Sequence, residues 1–173
     1  SKRKEHARLT GRRNVNDGFS PFAFNDSEVL ILGSFPSVIS RKNGFYYGNP
    51  QNRFWKTLGR FFGEEVPVTT EEKKNFLTAH KIALYDVYSK SSVKGSADAD
   101  LNEETAVKAD MGEFLESMPN LKGILCNGKK AYDVFTKNYG GYANITYRLP
   151  STSGANPSYD YNEWEKVMKS LLR

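Results

Sequence analysis

Cysteine occurs once in this chain of 173 residues, at Cys126, and histidine twice, at His6 and His80. A lone cysteine excludes a disulfide within the chain and a four-cysteine iron–sulfur cluster. The two histidines are far apart, and no His-x-Glu is followed by a Pro-Cys-x-x-Cys, which argues against a zinc deaminase. Neither a metal nor any other cofactor is expected. No stretch nears the ~20 apolar residues of a membrane span, and none has the charged start and apolar middle of a signal peptide. An intracellular protein with no membrane attachment is therefore expected. A Walker loop and a Gly-x-Gly-x-x-Gly fingerprint are also missing, which disfavours a general nucleotide-binding α/β protein.

Charge of one sign is scarce outside a single place. The formal net charge is +5, and residues 1–13 carry all of it, with Lys2, Arg3, Lys4, Arg8, Arg12 and Arg13 against Glu5. This basic arm is open to two readings, a salt-dependent track for phosphates or a disordered terminus without a role. The balanced remainder means that any nucleic-acid binding must use local cations and backbone amides. Residues 14–173, with 38% hydrophobic composition overall, suffice for one domain with a continuous core, and no repeat divides them.

The stretch from Glu28 to Trp55 organises the rest. Val29–Leu32 is apolar without alternation, as in a strand buried on both faces of a parallel sheet. Such strands deliver ligands to their carboxyl ends, so the loop after Gly33 is the place to seek chemistry. That loop holds Ser34, Phe35, Pro36 and Ser37, then Phe45, Tyr46 and Tyr47, whose rings can stack on flat π-faced molecules, then Asn49, Asn52 and Arg53. Phe54, Trp55, Leu58, Phe61 and Phe62 recur at helical spacing up to Gly63. Thr70, followed by Glu71 and Glu72, reads as the capped start of a second helix.

Further strands are predicted at Ile82–Val87, Leu121–Cys126 and Ile145–Leu149, with helices at Glu103–Met118, after Asn127 and around Trp164–Leu172. Asn14–Asp26, rich in turns and aromatics, is expected to pack over the sheet edge. Strands separated by helices predict a three-layer α/β/α sandwich with a short, mainly parallel four-stranded sheet. Asn127-Gly128-Lys129 at a strand end suits a phosphate at a helix N-terminus, or else Asn127 simply caps the helix and Lys129 is solvated. The polar stretch Ser89–Asn102 is too hydrophilic for a core and reads as a functional or a solvated loop.

Gly33-Ser34-Phe35-Pro36, then Tyr47, then Pro50-Gln51-Asn52-Arg53-Phe54-Trp55 resembles the first signature of the uracil-DNA glycosylase superfamily. The resemblance is closest to its hypoxanthine-(deoxyinosine-)DNA glycosylase branch, related to the mismatch-specific uracil/thymine enzymes. Pro150-Ser151-Thr152-Ser153-Gly154 is similar to the second signature, a loop that grips phosphates. The resemblance implies a monofunctional glycosylase that flips a deaminated base from DNA and hydrolyses its N-glycosidic bond. It implies Asn52 as the catalytic residue, orienting a water by accepting its hydrogen, although Asn52 also suits a helix cap. Gly33, Ser34, Phe35, Pro36, Tyr47 and Asn127 would form the base pocket. Ser37, Lys129, Ser151, Thr152, Ser153 and Gly154 would meet DNA, and Ser96 with Asp98 would lie near the substrate.

Two positions depart from the wider superfamily. Phe35 stands where many members have Asp or Asn, and Leu149 stands where others have His or Asn before the second loop. Both fit the hypoxanthine branch and disfavour uracil. The competing expectations are a uracil/thymine-mismatch glycosylase and a catalytically silent module that binds damaged DNA. The partner expected is DNA containing a deaminated base, met by a monomer on the nucleoid.

Overall fold

The computed structural model describes residues 17–90 and 106–172. The basic arm at 1–13 and the loop candidates Ser96 and Asp98 lie outside the described residues. In chain order the elements are β1 (Val29–Gly33), α1 (Val38–Asn43), α2 (Phe54–Phe62), α3 (Thr70–His80) and β2 (Ile82–Asp86). Then come β3 (Tyr88–Lys90), β4 (Val107–Lys108), α4 (Gly112–Glu116), β5 (Gly123–Asn127), α5 (Lys129–Asn138), β6 (Thr146–Leu149) and α6 (Tyr161–Leu172). Four of the strands form a sheet in the order β2-β1-β5-β6, and each neighbouring pair is parallel.

The unbroken apolar run of β1 has its reason in the layers. Val29 and Ile31 face one buried cluster with Phe54, Leu58 and Phe61 of α2, Leu77 of α3 and Trp164 and Met168 of α6. Leu30 and Leu32 face the other, with Leu115 of α4 and Ala131 and Phe135 of α5. Alternate side chains point to opposite faces, so a strand covered on both sides must be apolar at every position. The three-layer α/β/α sandwich is thus present. The edge packing expected of residues 14–26 takes the form, in its described part, of an antiparallel bridge between Phe22 and Leu84 on β2.

Three local expectations need correction. The cap of α3 is Thr69, one residue earlier than Thr70: its side chain accepts from Glu72 N–H, and Glu72 returns a bond to the Thr69 N–H. That reciprocal pair needs Glu at the third helical position, which only the earlier threonine provides. Within the described residues 106–118, the helix expected over Glu103–Met118 is confined to Gly112–Glu116, because Val107–Lys108 pairs with β3 as an antiparallel strand. A tertiary partner there outweighs local helix propensity. The third strand starts at Gly123, two residues after Leu121.

Register decides what the sheet presents. Gly33 pairs with Asp86, Leu32 with Cys126, and Asn127 with Leu149, so Gly33, Asp86 and Asn127 share the carboxyl edge. The chain leaves β1 toward β2 on one side and returns to β5 on the other. This topological switch point is where open α/β sheets bind ligands.

Candidate active site

A cavity of about 770 Å³ opens at that edge. The loop after β1 supplies Ser34, Phe35, Pro36 and Ser37, and the loop before α2 supplies Tyr47, Asn49, Gln51 and Asn52. Asp86 and Asn127 come from strand ends, and Ser151 to Asn156 close the far wall. Gly33 does not line the cavity. Its missing side chain makes room, since a Cβ there would lie 2.6 Å from Asp86 Oδ1 and 2.9 Å from the Tyr47 hydroxyl.

Tyr47 sits in the left-handed region at φ 53°, uncommon for a residue with a side chain. Its surroundings over-determine it. The preceding Tyr46 is anchored by its hydroxyl to the Ser20 carbonyl at 2.9 Å, and its own carbonyl accepts from Trp55 Nε1 at 3.1 Å. The Tyr47 ring stacks on buried Phe54, with centroids 4.0 Å apart and planes 20° from parallel. Tyr47 therefore braces against the core while it lines the cavity.

Asn52 combines two duties. Its Oδ1 accepts from the N–H of Phe54, the first residue of α2, at 2.9 Å and from the Thr152 hydroxyl at 2.7 Å, while the cap position itself falls on Arg53 without a side-chain bond. A backbone N–H can only donate, so this bond fixes which side-chain atom is the oxygen. With both lone pairs of Oδ1 engaged, Nδ2 carries the hydrogen-bonding capacity that this side chain still offers to the cavity.

Asn127 is not the cap of α5. That position falls on Gly128 at φ 100°, with no side-chain bond. Instead Asn127 Oδ1 accepts from the Thr152 N–H, and its Nδ2 donates to the Thr152 hydroxyl, both at 2.9 Å. Thr152 is completely buried and bridges Asn127 to Asn52. Ser151 and Ser153 remain partly exposed and Gly154 is exposed. Lys129 lines a neighbouring depression with Arg148, Ser151 and Ser158, is exposed, and pairs with Asp133 one turn along α5. Ser37 caps α1 by accepting from Ser40 N–H at 3.1 Å. Leu149 is buried in the core and lines that depression, not the main cavity.

Two contacts clamp the loops together. Arg53 donates through Nη2 to the Ser153 and Asn156 carbonyls at 3.1 and 2.9 Å, and its guanidinium lies over the Tyr159 ring. Gly154 abuts Gln51 so closely that a Cβ would fall 2.6 Å from the Gln51 carbonyl oxygen. Cys126, one residue before Asn127, is fully buried, and burial pushes its thiol pKa up to about 12. It is a neutral core group and no nucleophile.

Sequence reasoning missed Asp86, which is 4% exposed, and the clamp by Arg53. The signal for Asp86 was present. It is the last residue of a buried strand, the position whose equivalent drew attention to Gly33 and Asn127.

An α/β/α domain with a polar, aromatic-walled cavity at its switch point is a small-ligand site of the size that admits a single base. The sequence profile of the Uracil DNA glycosylase superfamily matches residues 20–171, and the chain belongs to that superfamily. It is 36% identical over 161 residues to a hypoxanthine DNA glycosylase of Methanosarcina acetivorans, covering 90% of this chain and 99% of the relative. A second hypoxanthine DNA glycosylase, from Methanosarcina barkeri, is 36% identical over 143 residues, covering 80% and 87%. A solution NMR structure of a candidate uracil DNA glycosylase from Methanosarcina acetivorans superposes with a TM-score of 0.78 at 35% identity, covering 91% of this chain and 99% of the other.

Proposed function

We propose that the protein is a monofunctional DNA glycosylase that flips a deaminated base, hypoxanthine foremost, into the cavity and hydrolyses its N-glycosidic bond, leaving an abasic site. The observation that carries this reading is Asn52, poised at the cavity wall by Thr152 and the Phe54 N–H, within a chain whose curated relatives are hypoxanthine DNA glycosylases.

A base inside a duplex is unreachable, so flipping must offset a few kcal/mol of unstacking. Tyr47 returns roughly 1–3 kcal/mol by stacking on the flipped base, and its own support on Phe54 means that little ordering is needed. Asn52 holds the attacking water through an Nδ2–H that the water oxygen accepts. Positive charge develops on the sugar as the bond breaks, so the water needs placement more than deprotonation. Ser37, Ser151, Ser153, Gly154 and the amides that open α5 beside Lys129 receive the flanking phosphates. No lysine lines the cavity among the described residues, so no Schiff base and no strand cleavage are expected. No helix among the described residues is long and apolar enough to cross a membrane. The enzyme acts as a monomer on DNA inside the cell.

The test is base release from single- and double-stranded oligonucleotides holding one deoxyinosine or one deoxyuridine. Release of hypoxanthine ahead of uracil, with no nick before alkali, is expected. Preferential uracil release moves the protein to the uracil/thymine branch, and lesion binding without release of either base makes it a silent binding module.

A further inference from the structure

We propose that Val38 and Ile39 of α1 form an apolar wedge that enters the base stack of duplex DNA where the flipped nucleotide leaves it. This deepens the glycosylase reading and rests on it for the identity of the partner. Val38 and Ile39 are 39% and 45% exposed, so core packing does not account for their apolar side chains. Branched residues are also weak helix formers. Of the large exposed apolar residues among those described, these two alone are flanked in sequence by cavity residues, Ser37 before them and Ser40 after. The two serines share one helix face, three residues apart, with their hydroxyls 3.0 Å from each other. Val38 and Ile39 turn from that face to solvent at the cavity rim, where the duplex that supplied the nucleotide must sit.

A wedge must be held rigidly, and α1 is fixed at both ends. Ser37 caps its start by accepting from the Ser40 N–H at 3.1 Å, and Gly44 ends it in the left-handed region at φ 84°. Asn43 Nδ2 donates to the Gly48 carbonyl at 2.8 Å, which ties the helix to the loop that presents Tyr47. The apolar tip and the ring that would stack on a flipped base are thus braced together. On the opposite rim, Ser151 to Asn156 supplies only Ser, Thr, Gly, Ala and Asn, too small to fill the space of a base. Charge points to the same partner. α1 carries Arg41 and Lys42 in its last turn and no acid, so the helix that bears the apolar tip also attracts phosphate. Apolar side chains that enter a base step offset its unstacking and oppose the return of the flipped base.

Single-turnover release of hypoxanthine should be compared for one deoxyinosine placed in a duplex and in a single strand, with wild type and Val38→Ala/Ile39→Ala. Alanine is the better helix former, so α1 keeps its fold, which thermal unfolding checks. A single strand has no paired stack to hold open. Release from the duplex should fall roughly 10- to 100-fold, the scale for burying one branched apolar side chain, while release from the single strand stays near wild type. Val38→Leu/Ile39→Leu keeps the bulk and should restore the duplex rate. A 2-aminopurine beside an uncleavable 2′-fluoro deoxyinosine should brighten when wild type binds the duplex, and brighten less with the alanine variant. An unchanged duplex rate in that variant overturns the proposal. So does an equal fall on both substrates, which would make the two residues part of the pocket, and so does a wild type that acts on single strands alone. If wild type releases base from neither substrate, the glycosylase reading fails. The 2-aminopurine signal then decides the wedge by itself: a loss in the alanine variant upholds it, and equal brightening overturns it.

Discussion

The Thr152 hydroxyl donates to Asn52 Oδ1 at 2.7 Å across 100 residues of sequence. This bond and the Phe54 N–H occupy the carboxamide oxygen, so the proposed reading assigns the attacking water to Nδ2. Asn52→Asp preserves both accepted bonds and removes the Nδ2 donors. Single-turnover release of hypoxanthine should therefore fall about as far in Asn52→Asp as in Asn52→Ala, by 10²-fold or more, the scale for losing a preorganised donor. Activity kept by Asn52→Asp would mean that the oxygen orients the water.

Thr152→Val keeps the shape of the side chain and deletes the bridge. It leaves Asn127 Nδ2 and Asn52 Oδ1 each short of a partner, at about 1–3 kcal/mol for a buried group. Thermal unfolding should drop by roughly 2–4 °C for each kcal/mol lost. The rate of release should fall about 10-fold or more while DNA affinity changes little, because the Thr152 side chain is fully buried.

The two signature loops are clamped at Gly154 and Arg53. In Gly154→Ala the new methyl would lie 2.6 Å from the Gln51 carbonyl oxygen, a backbone atom that cannot swing aside. Lysine at position 53 cannot reach two carbonyls and cover Tyr159 as a planar guanidinium does. Both variants should lose 10-fold or more in kcat/KM on a deoxyinosine duplex, and proteolysis should cut faster near residue 154 than in wild type.

Cys126 should resist a thiol reagent in the native protein at pH 8 and react fully in denaturant, because burial holds its pKa at about 12 against an ordinary 9.0. The sign follows from the raised value. The unfolded chain loses this proton first as pH rises, so the thiol's contribution favours unfolding progressively between about pH 9 and 12. Rapid labelling of native protein at pH 8 would contradict the buried placement.

Thr69→Ala removes the reciprocal cap of α3, far from the cavity. It should cost about 1 kcal/mol of stability by denaturant unfolding, while hypoxanthine release at permissive temperature stays at the wild-type level. Lost activity in a folded variant would link α3 to the site in a way that the geometry does not provide.

The strands and most helices were legible because their cause is local. Val29–Leu32 has no polar position, α2 repeats its aromatics at helical spacing, and Gly63 ends that helix in the left-handed region. Val107–Lys108 was not legible, since two residues become a strand only when Tyr88–Lys90 lies beside them. Asn52 could be singled out from its motif, but not the two bonds that engage its side-chain oxygen. By itself the sequence determined which segments are buried, where the chain turns and which loops carry polar and aromatic groups, for these follow from side-chain period and backbone preference. Only the tertiary structure decided that Asp86 and Tyr47 come together beside Gly33 at the cavity, and that Thr152 spends its hydroxyl on Asn52. Hydrogen bonds and close approaches between residues distant in sequence depend on strand register and loop docking, which no local pattern encodes.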